Sequence, residues 1–218
     1  EGALALNAAE AQEKAEGLGF PLLVRPSYVL GGRAMRICYD QADFDEALQE
    51  ALDASGDHPV LLDRFLEGAV EYDVDALCDG DEVWIAGIME HIEAAGVHSG
   101  DSTAVIPPVI LSEVNRAQIV DIVTRIALRL NVVGLVNVQL AVQRGEVYVI
   151  EVNPRASRTV PYVSKATGIP VARVATRLLL GQRLADQPDL EKRGDGMYFI
   201  KAPVFPWQRF PGSDVVLG

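Results

Sequence analysis

The stretch GLVNVQLAVQRGEVYVIEVNPRASRTVP, residues 134–161, decides how this chain is read. Two apolar runs, 134–143 and 146–153, flank the dipeptide Arg144-Gly145, the pattern of a β-hairpin. Glu151 and Asn153 are two residues apart and so share one face of the second strand, while Gln139 lies in the first. Three oxygen-bearing side chains then gather on one sheet face. Carboxylate and carboxamide oxygens suit a hard cation such as Mg2+, which is commonly shared with substrate phosphates. Arg155 and Arg158 follow at once, placed to meet an anionic substrate or a transferring phosphoryl group. Glu151 taken alone reads more plainly as a solvated residue on an outer face. Its neighbours Val147, Val149 and Ile150 point instead to a buried strand, where a polar cluster needs partners.

Working outward, AVEYDVDALCD (69–79) alternates strongly, with Val70, Tyr72, Val74 and Ala76 on one face and Glu71, Asp73 and Asp75 on the other. That is a half-buried strand with an acidic face. Asp79-Gly80 signals a turn, and 82–91 answers as its partner strand. The helix expected over 112–130 is capped by Ser112 and carries a core stripe of Ile119, Ile122, Val123, Ile126 and Leu130. A further helical region covers 162–180, and MYFIKAPVF (197–205) reads as a last strand.

Toward the N-terminus, helices are expected over 8–18 and 42–55, the second with Phe44, Leu48 and Leu52 at intervals of four. Strands are expected over 21–26, 34–39 and 59–66. Arg25 sits inside an apolar run, which is costly unless it is paired. Gly31 and Gly32 follow, so the segment reads either as a phosphate lid with an arginine beneath it or as a hairpin turn whose arginine pairs with a carboxylate. Arg64, Phe65 and Leu66 look like a connection between lobes, and Glu71 lies on the acidic face of its strand, seven residues after Arg64. EHIEAAGVHSGDS (90–102) fits a loop that offers backbone N–H groups and a hydroxyl, through Gly96, Ser99 and Gly100, better than a compact zinc pattern.

A net charge of −12 argues against nucleic-acid and anionic-membrane partners, which need clustered Lys and Arg. It does not exclude a nucleotide, because a few cations and a metal neutralise a triphosphate locally. Cys38 and Cys78 read as buried, reduced thiols of a cytoplasmic protein. No run approaches the roughly 20 apolar residues of a membrane helix. The chain begins without Met and ends after a Pro- and Gly-rich tail, so it is read as a segment of a longer protein. Strands joined mainly by hairpins, with helices interspersed, give an α+β class with largely antiparallel sheets.

RPSYVLGGRAM (25–35), MEHIEAAGVHSGDS (89–102), NVQ (137–139), EVNPRASRTVP (151–161) and SKATGIP (164–170) together resemble the ATP-grasp domains of the carbamoyl phosphate synthetase large chain. The resemblance spans roughly residues 8 to 218. It implies an ATP-grasp fold of two lobes over 1–205, with mainly antiparallel sheets and flanking helices, and a connecting tail over 206–218. It implies ATP with Mg2+ or Mn2+ as cofactors. Arg25 would contact the nucleotide phosphates. Arg64, Leu66 and Glu71 would line the adenosine site, although a His is familiar where Arg64 stands. Gly96, Val97, His98 and Ser99 would loop around the nucleotide. Gln139, Glu151 and Asn153 would hold the metals, and Arg155 and Arg158 would face the carbamate and the phosphoryl group.

The motifs resemble the C-terminal half, which phosphorylates carbamate to carbamoyl phosphate for arginine and pyrimidine synthesis. The bicarbonate-phosphorylating half, another ATP-grasp ligase such as a biotin carboxylase, and a nucleotide-binding domain silent in isolation are the alternatives. The remainder of the large chain and a small glutaminase chain would be its partners.

Overall fold

The computed structural model describes residues 2–27, 35–93, 100–190 and 196–204. The expected tail over 206–218 lies outside them. The chain divides into two compact units, residues 1–67 and 68–218, and the division falls just beyond the expected Arg64–Leu66 connection.

The first unit runs β1 (Gly2–Ala5), α1 (Ala8–Leu18), β2 (Leu22–Pro26), β3 (Arg36–Cys38), α2 (Gln41–Ser55) and β4 (Val60–Arg64). Its sheet has the order β1-β4-β2-β3, and every pairing is antiparallel. Both helices start on a side-chain cap: Asn7 accepts from the N–H of Glu10, and Asp40 accepts from the N–H of Asp43. Leu22 and Val24 alternate inward from β2 and meet Phe44, Leu48 and Leu62 in one core.

The second unit runs β5 (Val70–Asp79), β6 (Val83–His91), β7 (Ala104–Ile106), α3 (Glu113–Arg129), β8 (Val133–Gln143), β9 (Glu146–Asn153), α4 (Val160–Thr167), α5 (Val171–Leu179) and β10 (Phe199–Lys201). Its strands order as β10-β7-β6-β5-β8-β9, again antiparallel throughout. On one face Tyr72, Val74, Ala76, Val136, Val138 and Leu140 pack with Ile119, Val123 and Ala127 of α3. On the other face Leu77 and Met89 pack with Val160, Val163, Val174 and Leu178 of α4 and α5. The expected helical region over 162–180 is two helices. Gly168 adopts the left-handed conformation, and Pro170 supplies no N–H, so α4 cannot run on into α5. Arg144 and Gly145 both have positive φ, 52° and 84°, the geometry of a tight two-residue hairpin turn between β8 and β9.

Three expectations change. The acidic face of β5 is not half-solvated: Asp73 and Asp75 are each 1% exposed. β5 is central in a sheet covered on both faces, so alternation there separates two cores rather than core from water. Leu130 is 53% exposed: it caps α3, one residue beyond the helix end at Arg129 and three beyond Ala127, the last of the Ile119, Val123, Ala127 stripe. β9 is the edge strand, and its Val149 and Ile150 are exposed instead of buried. Cys38 and Cys78 are both buried and free. Among the described residues no helix is long and apolar enough to cross a membrane.

The α3 stripe gives a direct test. Ile119→Ala is expected to cost about 2–5 kcal/mol, whereas Leu130→Ala stays within about 0.5 kcal/mol. Urea unfolding of the two variants measures both, and equal losses would contradict the assigned stripe.

Candidate active site

Strand register builds the site. Asp73 on β5 lies directly opposite Gln139 on β8, which lies opposite Glu151 on β9. One rung along, Asp75, Asn137 and Asn153 form the same sequence of partners. Directly opposed residues in an antiparallel sheet share a face. Both rungs therefore lie on the α4 and α5 side, along β5 from Leu77, with Met89 of β6 directly opposite Asp73. The structure brings Gln139, Glu151 and Asn153 together as expected, and adds Asp73, Asp75 and Asn137 behind them. The donor set facing outward is oxygen only, a carboxylate and two carboxamides, which fits a hard divalent cation. Among the described residues no three His, Cys, Asp or Glu side chains form a group that could hold a metal ion.

The two buried aspartates are satisfied from several directions. Asn137 donates from Nδ2 to Asp73 Oδ1 at 2.5 Å and to Asp75 Oδ1 at 2.9 Å. Ser157 Oγ donates to Asp75 Oδ1 and Thr159 Oγ1 to Asp75 Oδ2, each at 2.7 Å. Burial pushes both carboxyls upward, Asp73 to about 6. The hydrogen bond from Asn137 and the charges of His91 and Lys201 act against that rise at Asp73, while the charge of Asp75 adds to it. Thr159, Ser157 and Asn137 oppose the rise at Asp75.

A third row crosses the sheet beside these rungs. His91 on β6 holds Glu71 Oε2 at 3.3 Å from Nδ1 and stands 3.9 Å from Asp73 Oδ2 through Nε2. Its register partner Ala104 pairs in turn with Lys201 of β10. Desolvation lowers the Lys201 pKa, and Asp73, Glu93 and Asp101 oppose that shift. Past β9 the chain turns sharply. Arg155 donates from Nη2 to Asn153 Oδ1 at 3.1 Å and from Nη1 to the carbonyl of Ala156 at 3.0 Å. Arg155 and Arg158 are both exposed.

In the first unit, Arg25 pairs with Asp63 Oδ2 at 2.8 Å, so of the two readings of this arginine the carboxylate pair is present. Its Nε is buried and has no hydrogen-bond partner among the described residues. Arg25 also lines a groove with Leu4, Pro26, Ser27, His58, Pro59 and Leu61. Arg64 is exposed and Leu66 half-buried. Gly31, Gly32, Gly96, Val97, His98 and Ser99 lie outside the described residues.

Sequence reading singled out no role for Asp73, Asp75, His91, Asn137, Ser157, Thr159 or Lys201. For Asn137 a signal existed: it precedes Gln139 by two in the same strand and so had to share its face.

The raised Asp73 pKa sets a pH dependence. A carboxyl whose folded pKa exceeds the ordinary 3.8 binds its proton more tightly when folded. Its stabilising contribution is complete below about pH 3.8 and is lost as the pH rises through about 6. The stability of the native protein relative to Asp73→Asn is expected to fall between those two values and then level off. Urea unfolding at successive pH values measures it, and parallel profiles would refute the burial argument.

Residues 1–187 match the family model described as "Carbamoyl-phosphate synthase L chain, ATP binding domain". The carbamoyl phosphate synthase large chain of Acidobacterium capsulatum is 56% identical over 224 residues, covering 100% of this chain and 20% of that one. The C-terminal section of the large chain from Methanocaldococcus jannaschii is 53% identical over 228 residues, covering 100% of this chain and 37% of that one. The chain thus spans well under half the length of these relatives. Among solved structures, one similar chain is the biotin carboxylase domain of Hydrogenobacter thermophilus 2-oxoglutarate carboxylase, in complex with MgADP, ADP and bicarbonate. It is 25% identical, with a TM-score of 0.71, over 91% of this chain and 45% of that one. The biotin carboxylase of Campylobacter jejuni is 21% identical, with a TM-score of 0.72, over 90% of this chain and 44% of that one. The fold is accordingly ATP-grasp, in the α+β form that the sequence leads one to expect. With the family match running through the first unit and most of the second, the chain belongs to the carbamoyl phosphate synthase large-chain ATP-binding domain family.

Proposed function

We propose that this chain binds MgATP and phosphorylates carbamate to carbamoyl phosphate, as the grasp domain of the C-terminal half of a large chain. The observation that carries the reading is the alignment of Gln139 with Glu151, one rung from Asn153, with Arg155 and Arg158 directly after them. The match to a relative named as a C-terminal section supports that half over the other. The bicarbonate named with the Hydrogenobacter domain favours the second reading, a bicarbonate-phosphorylating half.

Phosphoryl transfer needs positioning and charge neutralisation more than covalent chemistry. Gln139, Glu151 and Asn153 would hold Mg2+, or Mn2+ with the same oxygen preference. The cation would supply positive charge against the phosphate oxygens. An amide oxygen carries two lone pairs, so Asn153 can keep its bond from Arg155 while it ligates. Arg155 and Arg158 would meet the carbamate and the charge that spreads over the transferring group as a carbamate oxygen attacks the γ-phosphorus in line and ADP leaves. Glu71, fixed by His91, would accept from the ribose. Arg25 would reach the nucleotide phosphates through its guanidinium. Arg64, Leu66 and the Gly96, Val97, His98 and Ser99 segment would complete the adenosine contacts. The rest of the large chain, a small glutaminase chain, a glutamine-hydrolysing ligase reaction in arginine and pyrimidine synthesis, and a cytoplasmic location belong to the same proposal.

Isothermal titration with MgATP tests it. Glu151 is exposed, so Glu151→Ala should leave the fold intact and weaken MgATP binding by about tenfold or more, at least ~1.4 kcal/mol. Equal affinity in both proteins would sink the metal assignment. No binding by either folded protein would sink the reading as a whole.

A further inference from the structure

Arg158 stands between two residues that reach back to the same buried carboxylate. Ser157 and Thr159, on either side of it, both donate to Asp75, at 2.7 Å each. Their hydroxyls also lie 2.6 Å apart, and the N–H of Thr159 donates to Ser157 Oγ at 3.2 Å. Asp75 is 1% exposed and Thr159 4%, whereas Arg158 is exposed. The turn is thus fastened on both sides of an exposed arginine.

Thr159 shows that this fastening overrides a local preference. It occupies the cap position of α4, where a threonine hydroxyl ordinarily accepts from an N–H of the first helical turn. Here it makes no such bond and donates to Asp75 instead. The bonds from Ser157 and Thr159 cross 82 and 84 residues of sequence, so the contact is made by the tertiary fold. An ionised carboxylate accepts the donors of Ser157, Thr159 and Asn137 together, and such charge-assisted bonds are about twice as strong as neutral ones.

We propose that Asp75 is a positioning residue that pins the 154–159 turn to the sheet through Ser157 and Thr159, and thereby fixes where Arg155 and Arg158 meet the phosphoryl-bearing anion. Asp75 does not touch substrate; it acts through the turn. The inference rests on the phosphoryl-transfer reading for what the arginines meet, but not for the pinning itself.

Two variants approach the contact from opposite ends. Asp75→Asn keeps the volume and loses acceptor capacity, and Ser157→Ala leaves the sheet untouched and removes one tie. Limited trypsin digestion reports the turn, since trypsin cuts after arginine and cleavage of a folded protein follows local opening. Cleavage after Arg155 and Arg158, relative to cleavage elsewhere, is expected to rise about tenfold in Asp75→Asn and by a smaller factor in Ser157→Ala. ATP formation from MgADP and carbamoyl phosphate reports the arginines. The KM for carbamoyl phosphate is expected to rise about tenfold while the KM for MgADP changes less than about twofold. Unchanged cleavage in both variants overturns the pinning. Faster cleavage with an unchanged KM for carbamoyl phosphate overturns the positioning role. A fall in kcat with both KM values unchanged marks general loosening and overturns it too. If the native protein binds no MgATP and forms no ATP, the functional reading falls with the arginines' role, and the digestion still decides whether Asp75 holds the turn.

Discussion

The pairing of β5 with β8 is the constraint on which the second unit depends. It runs from Val70 opposite Val142 to Asp79 opposite Val133 without a break. Side chains alternate with a period of two, so a slip of one residue would exchange the two faces along its whole length. Such a slip would turn Val136, Val138 and Leu140 away from α3 and drive Asn137 and Gln139 into its core. The apolar packing of α3 therefore sets the register, and the register in turn delivers Asp73, Gln139 and Glu151 to one line. The functional face is specified largely by what the opposite face must bury.

Two opposed electrostatic effects meet on that line. Burial disfavours the charged form of Asp73 and Asp75, and their mutual repulsion adds to this at Asp73. Hydrogen bonds from Asn137, Ser157 and Thr159 act in the other direction. Asp75 has more of these donors, and they reach it from both β8 and the turn after β9. At Asp73 the bond from Asn137 acts together with the charges of His91 and Lys201. Asp75 is thus tied to both the sheet and the turn, while Asp73 is held first by the Asn137 hydrogen bond and then by the charges of His91 and Lys201.

How much of this was legible in the sequence follows from the range of each interaction. The hairpin of β8 and β9 was readable because Arg144-Gly145 and the alternation on either side are local signals. Gln139, Glu151 and Asn153 could be put on one face for the same reason. The depth of β5 was not readable. Alternation of Tyr72, Val74 and Ala76 with Asp73 and Asp75 describes a strand with one wet face equally well, until α4 and α5 are known to cover the other side. The exposure of Val149 and Ile150 was hidden because composition does not say which strand ends a sheet. The ties from Ser157 and Thr159 to Asp75 join distant segments, and no periodic pattern foreshadows them. The two-helix break at Gly168 and Pro170 was visible in the residues, yet the merged apolar pattern masked it.

The edge position of β9 has a mechanical meaning for the oxygen donors. Gln139 sits on an inner strand with partners on both sides, whereas Glu151 and Asn153 ride on a strand laddered along one side only. Beside Glu151 the ladder also steps out of register, between Gln139 and Leu140. The donor set accordingly combines one stiff wall with one compliant wall, like the fixed and sliding jaws of a caliper. On the proposed metal reading, such a pair of jaws would accommodate cations of slightly different radius by yielding at β9, while β5 and β8 keep their places in the core.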